Sequence, residues 1–300
     1  MVADLPQFVT GKIKNSKSIS YADDSTVYTH ERTLDELKSS LERLSENMIE
    51  YCQNTGLVLN NDKTQLLVST NKDFEVQVGS SFIRASPSIN ILGVDYDSKF
   101  TTTPFLHKLA SACKTRAALI RRLSFAMPRK LLSTFAHGLV MGKILAASAA
   151  TIPVRLQNMD RSQVCITEEI NKSIKAVART IMNVKLSYKV RSETVLWKTG
   201  LRCLNEAVAS IMAITVWKSK QAMDPLGKRI FQDTLLCKEH SKRFSRSATS
   251  GKISQPVPGY STLASNLMAR IWNSVPSLVT ASSLGSAKTI ARKWAMSIPR

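Results

Sequence analysis

Asp23 and Asp24 stand side by side in Tyr21-Ala22-Asp23-Asp24-Ser25. Adjacent carboxylates repel, so ionising both is costly unless a cation lies between them. Hard divalent ions such as Mg²⁺, with Mn²⁺ as a substitute, take oxygen ligands and can serve metal-assisted phosphoryl transfer. Solvated turns are also rich in aspartate for purely local reasons, so the pair alone leaves both readings open. Other constellations are weaker. Cys237-x-x-His240 is half of a zinc knuckle with no second pair nearby, and His30, His107, His137 and His240 show no metal spacing. No phosphate-binding glycine loop, dinucleotide glycine pattern or Gly-x-Ser-x-Gly elbow is present.

The elements around the pair are predicted from pattern. Residues 19–28 read as two strands about the turn Ala22-Asp23-Asp24-Ser25, because Tyr21, Thr26, Val27 and Tyr28 favour strands. Thr33 begins a helix with Glu36 as its capping-box partner. Leu34, Leu37, Leu41, Leu44, Met48 and Tyr51/Cys52 form one stripe, and Gly56 ends it. Residues 57–59 and 65–69 are expected as strands on either side of an Asn60–Thr64 turn, followed by short strands at 74–78, 81–84 and 89–96. From Pro104 the pattern is helical, at 106–123, 129–150, 160–183, 190–196 and 204–223. A basic linker over 238–258 and short helices at 263–273 and 283–295 follow. The expected fold class is α+β.

Charge divides the chain as well. Residues 1–100 hold 10 Lys/Arg against 14 Asp/Glu, and residues 101–300 hold 32 against 8, within a net charge of +20. No acid lies between Asp97 and Asp160. An acidic front and a basic rear fit a cation site followed by a surface for a polyanion. With 43% hydrophobic residues the chain can build a core, which excludes global disorder. Cys52, Cys113, Cys165, Cys203 and Cys237 are scattered and odd in number, so a reducing compartment is expected. The N-terminus lacks a signal-peptide layout. Residues 138–154 are apolar but short and interrupted by Lys143, so a buried helix is expected there rather than a span. An intracellular protein of nucleus or cytoplasm follows, neither secreted nor membrane-bound. Trp197, Trp217, Trp272 and Trp294 all fall in the basic part, where core packing is the ordinary role and base stacking the alternative.

Tyr21-Ala22-Asp23-Asp24 resembles the Tyr/Phe-x-Asp-Asp box of reverse transcriptases. Gly56-Leu57-Val58-Leu59-Asn60, with Lys63-Thr64, resembles the next block of LINE-type enzymes. Ile91-Leu92-Gly93-Val94 resembles the block after that, a Leu-Gly hairpin supporting the primer end. Trp197-Lys198-Thr199-Gly200-Leu201, Leu204-Asn205 and residues 269–276 are similar to segments near the C-termini of Jockey- and CR1-like polyproteins. The chain thus resembles the C-terminal part of a non-LTR retrotransposon reverse transcriptase. The resemblance implies a truncated palm over 1–100, thumb-like basic helices over 101–158, a helical region over 159–237, and a basic linker with terminal helices over 238–300.

It also implies roles and partners. Asp23 and Asp24 would hold catalytic Mg²⁺, and Lys63 would offset charge on the leaving pyrophosphate. Tyr21, Leu92 and Gly93 would lie against the primer end or template, and Arg121, Arg122, Arg129 and Lys130 would contact backbone phosphates of an RNA template and DNA primer. Each has a plain alternative: a solvated turn lysine, an ordinary hairpin, surface charge. The family's third carboxylate sits on an earlier strand, and only twenty residues precede Tyr21 here, with Asp4 the sole acid among them. The chain by itself is therefore expected to be inactive. The alternative is a non-catalytic basic nucleic-acid-binding protein in which the Asp pair is idle.

Overall fold

Thr33 starts a helix for a local reason. Its Oγ1 accepts the Glu36 N–H at 3.2 Å while Glu36 Oε2 accepts the Thr33 N–H at 3.3 Å, the reciprocal capping box. Helix α2 (Leu34–Thr55) runs to Gly56, whose φ of 70° is the left-handed turn that glycine adopts without strain. The Leu57 N–H then reaches back to the Cys52 carbonyl at 2.8 Å, the bond that closes a Schellman cap.

The computed structural model describes residues 4–11, 13–70, 73–146, 148–152, 161–184, 189–221, 271, 273–278 and 280–298. The chain divides into two compact units, Met1–Phe105 and Leu106–Arg300. The fold class is α+β, with three small antiparallel sheets of two strands each among the described residues.

In the first unit α1 (Leu5–Thr10) precedes the hairpin β1 (Ser16–Tyr21) and β2 (Asp24–Thr29). After α2 come the hairpins β3 (Glu75–Val78) with β4 (Ser81–Arg84) and β5 (Ser88–Ile91) with β6 (Val94–Asp97). Helix α1 was absent from the sequence pattern, because six residues carry no periodicity of their own. It forms where Leu5 and Val9, four residues apart, bury against Leu44 and Tyr51 of α2. Tyr51 donates its hydroxyl to Asp4 Oδ1 at 2.7 Å, and Asn47 Nδ2 donates to the Val9 carbonyl at 3.0 Å. The Tyr51–Asp4 hydrogen bond holds the Asp4 carboxyl below its ordinary range and pushes the Tyr51 phenol up.

Three expected strands are corrected. Residues 89–96 are not one strand but the hairpin β5–β6, because Leu92 and Gly93 both take left-handed φ and reverse the chain. Residues 57–59 are not a strand: Leu57 is spent on the helix cap, and Asn61–Lys63 form a 3₁₀ turn capped by the Asn60 side chain. Residues 65–69 contribute a single bridge, Leu66 to Ala85, since an apolar run becomes a strand only where a partner offers its edge. The expected turn 22–25 is also shorter than the pattern implied, with Asp24 already in β2 opposite Tyr21.

The second unit is helical in its described residues, where its helices are α3 (Thr103–Leu123), α4 (Arg129–Ala136), α5 (Gly142–Leu145), α6 (Ser148–Thr151), α7 (Arg161–Met182), α8 (Ser192–Thr199), α9 (Leu204–Gln221) and α10 (Leu284–Ser297). On α3, Leu106, Leu109, Ala110, Cys113 and Ile120 are buried, and on α7 Ile166, Ile170, Ile174, Val177 and Ile181, each one helical stripe. Burial pushes the Cys113 thiol up to about 11. The expected single helix over 129–150 is broken by a π-helical turn, His137–Met141, between α4 and α5, and residue 147 lies outside the described residues. The helix expected at 190–196 lies at Ser192–Thr199 and stops at Gly200. The basic linker at 238–258, Cys237, His240 and Trp272 lie outside the described residues. No described helix is long and apolar enough to cross a membrane.

Candidate functional site

The hairpin of β1 and β2 is joined by Ala22 and Asp23, and Ala22 takes φ 54°, the turn conformation a two-residue loop requires. Register then fixes the faces. Lys17 opposes Tyr28, Ile19 opposes Thr26 and Tyr21 opposes Asp24, so these six share one face. On β1 that face is the exposed one: Ile19 is 62% and Tyr21 68% exposed, while Ser16, Ser18 and Ser20 turn inward. The usual alternation is inverted. Buried Ser18 Oγ and Thr29 Oγ1 have no hydrogen-bond partner among the described residues. Asp24 leads that face and Asp23 tips the loop, and both are exposed.

Each of the other predicted residues of this unit is held by an identifiable device. Asn60 Oδ1 accepts the Lys63 N–H at 3.2 Å and Thr64 Oγ1 donates to the Asn60 carbonyl at 2.9 Å, which leaves the Lys63 side chain in solvent. Leu92 and Gly93 form the loop of β5–β6 with φ of 50° and 82°, both left-handed as a type I′ turn demands. Asn90 clamps that loop: its Oδ1 accepts the Gly93 N–H and its Nδ2 donates to Asp95 Oδ1, both at 3.0 Å. Gln65 Oε1 accepts the Asn90 N–H at 3.0 Å, tying the segment after Lys63 to the Leu92 hairpin. A leucine held left-handed is strained, and its side chain is 58% exposed. Asp23, Asp24, Lys63, Leu92 and Gly93 thus all cap turns of the first unit. The three hairpins pair only within themselves among the described residues, so no ladder joins them.

Asp23 and Asp24 offer hard, exposed oxygen donors with no ion-pair or hydrogen-bond partner among the described residues. Asp4, the one other acid before the hairpin, is committed to Tyr51. Among the described residues no group of three or more His, Cys, Asp or Glu could hold a metal ion. The pair therefore fits one largely hydrated cation, and does not by itself fit a closed two-metal centre.

No family model, curated protein or solved structure matches the chain. The likeness to LINE-type enzymes is carried by short blocks alone, and of those the Asp-Asp and Leu-Gly blocks lie at hairpin tips while the Lys63 block lies at a capped 3₁₀ turn.

Arg121, Arg122, Arg129 and Lys130 belong to the second unit, at the end of α3 and the start of α4, and all four are exposed. Between them sits Phe125, which sequence reasoning passed over, at 89% exposure. The signal was present: an aromatic in Ser124-Phe125-Ala126-Met127-Pro128, a break between helices where no apolar stripe receives it. The tryptophans divide. Trp217 is buried and its Nε1 donates to the Ala281 carbonyl at 3.2 Å, whereas Trp197 is 80% exposed. His137 places Nδ1 2.9 Å from the Ser133 carbonyl and Nε2 3.3 Å from that of Gly200, a packing role joining α4 to the end of α8.

Proposed function

We propose that this chain is the rear part of an RNA-directed DNA polymerase of the non-LTR retroelement type, incomplete by itself. The observation that carries the reading is the placement of Asp23 and Asp24. The two neighbouring carboxylates are open to solvent where the hairpin turns, Asp23 in its two-residue loop and Asp24 at the first position of β2, opposite Tyr21. A tight loop fixes both backbones, so the pair can meet a cation with little reordering. Asp23 and Asp24 would hold the ion, which when bound supplies charge neutralisation and activation of an oxygen for phosphoryl transfer. Lys63, directed outward by its capped turn, would offset negative charge on departing pyrophosphate. Tyr21 and the Leu92-Gly93 tip would support the nucleic-acid end, and the basic second unit would bind the phosphate backbone of template and primer.

The test is primer extension on an RNA template with Mg²⁺ or Mn²⁺. The purified chain should give none, since two carboxylates leave one wall of the site unbuilt. Extension should appear when a palm segment carrying the third carboxylate is supplied in trans, and should vanish with Asp23→Ala. Extension by the chain alone that Asp23→Ala abolishes would sink the claim of inactivity. Failure in trans, together with no Mn²⁺ broadening of hairpin resonances, would sink the whole reading.

A second reading is a nucleic-acid-binding protein with an idle Asp pair. It is favoured by the lack of any group of three potential metal ligands among the described residues. Tight binding that ignores both Mn²⁺ and Asp23→Ala would select it.

A further inference from the structure

Four exposed cations flank one uncovered ring along the chain where α3 gives way to α4. Arg121 and Arg122 end α3, Arg129 and Lys130 open α4, and Phe125 stands between them at 89% exposure. No acid occurs in residues 98–159, so no carboxylate on this stretch of chain neutralises the group. Arg129 and Lys130 also occupy the helix end that favours anions, and Pro128 before them supplies no side-chain cap. The chain thus keeps positive charge where a helix start ordinarily carries acids, beside a ring kept out of the core.

The chemistry of such a group is specific. A lone ring among cations is a poor seat for a protein, because interface cores are large, apolar and depleted of Lys. It is a good seat for a base between phosphates. Aromatic rings stack on bases regardless of sequence, and flanking Arg and Lys hold the backbone. In a duplex the faces of internal bases are already covered by their neighbours, so an exposed ring can reach only unstacked bases.

We propose that the α3–α4 turn is a binding site for single-stranded nucleic acid, with Phe125 stacking on a base and Arg121, Arg122, Arg129 and Lys130 on the adjoining phosphates. The inference goes beyond the polymerase reading, which assigns these cations to backbone contacts and gives Phe125 no task. It stands on exposure and charge alone.

The experiment titrates the full chain, without divalent metal, against labelled oligo(dT), oligo(U) and a blunt duplex of equal length across a salt series. The single strands should bind more tightly than the duplex. Phe125→Ala should weaken single-strand binding about tenfold to a hundredfold, leave duplex binding unchanged and leave the salt slope unchanged. Phe125→Trp should retain binding. Phe125→Leu should behave like alanine, since it keeps apolar bulk without a flat face. Arg122→Gln with Arg129→Gln should instead lower the slope of log K on log salt by about 0.7 per cation removed. Full affinity in Phe125→Ala or Phe125→Leu, preference for the duplex, or no binding by the parent chain would each overturn the proposal. Primer extension in trans is a separate readout, so the polymerase reading can fail while this site stands.

Discussion

Helices in the second unit bury one another, and Leu106, Ile170, Ile174 and Leu204 are wholly removed from solvent there. The first unit buries smaller groups, Leu5, Val9 and Ile13 against Leu44 and Tyr51, and separately Val68, Val76, Val78 and Val94, while Ile19, Tyr21, Phe82 and Leu92 stand in water on its hairpins. A helix satisfies its own backbone and needs only one apolar stripe to dock. A hairpin leaves two edges open and is marginal until a third strand or a helix covers it. The chemistry-bearing tips of the first unit are thus held by local turn and cap bonds, whereas the second unit is held by its core. The two should respond to different kinds of substitution.

The largest expected difference is in cavity formation. Leu204→Ala should cost about 2–5 kcal/mol, read by guanidinium denaturation, because it empties a fully buried site on α9. Ile19→Ala, on the exposed face of β1, should fall within about 0.5 kcal/mol. An Ile19→Ala cost as large as that of Leu204→Ala would mean that the hairpin face is covered in solution, and the contrast between the units would be lost.

Next in size is the helix cap of the first unit. Thr33→Ala removes the acceptor of the Glu36 N–H and should cost about 1 kcal/mol in thermal or chemical unfolding. Glu36→Ala should cost less, since Thr33 is exposed and water can serve its N–H. Equal losses would point to coupling through the whole box.

These features divide by how local their causes are. The α2 boundaries at Thr33 and Gly56 were legible because each depends on residues within one turn. The hairpins around Ala22-Asp23 and Gly79-Ser80 were legible for the same reason, whereas the residue pattern reads 89–96 as one strand and only the resemblance implied a Leu-Gly hairpin there. Residues 57–59 and 65–69 misled because an apolar run does not say whether a partner strand exists. Helix α1 escaped notice because its stability comes from Leu44 and Tyr51, some forty residues away in sequence. The long helix over 129–150 hid a π turn that no apolar spacing announces. At the candidate site, the exposure of Asp23, Asp24 and Lys63 followed from their turns. The inverted face of β1 and the bareness of Phe125 are tertiary facts, and only the fold could supply them.

Strain at the hairpin tips is a smaller effect and of opposite sign. Leu92 is held at φ 50°, where a side chain crowds the backbone and glycine does not. Leu92→Gly should raise stability by about 0.5 kcal/mol, the relief of strain being partly offset by the freer unfolded chain. If the leucine is retained for what its exposed side chain touches, the same variant should lose nucleic-acid end support while gaining stability, a split seen by comparing melting with complemented extension. Loss of stability would show that the turn tolerates leucine without strain.

The smallest effect expected is the pH response of the Asp4–Tyr51 hydrogen bond, since Asp4 is exposed and solvent screens what the bond contributes. The signs differ at its two ends. The Asp4 carboxyl is held below its ordinary value, so its contribution is present above about pH 4 and lost as pH falls through the folded-state value. The Tyr51 phenol is pushed above its ordinary value, so its contribution is full below about pH 10 and lost as pH rises through the raised value. Tyr51→Phe keeps the ring against Phe8 but deletes the bond, and so should flatten both limbs of the melting-temperature profile while leaving the neutral region slightly lower. An acid limb that persists unchanged in Tyr51→Phe would assign it to another carboxylate. Asp97 is the first to examine, because burial raises its pKa but the Thr101 and Lys99 bonds outweigh that and hold it low. Its loss should likewise appear only as pH falls, and Thr101→Val should move it where Tyr51→Phe does not.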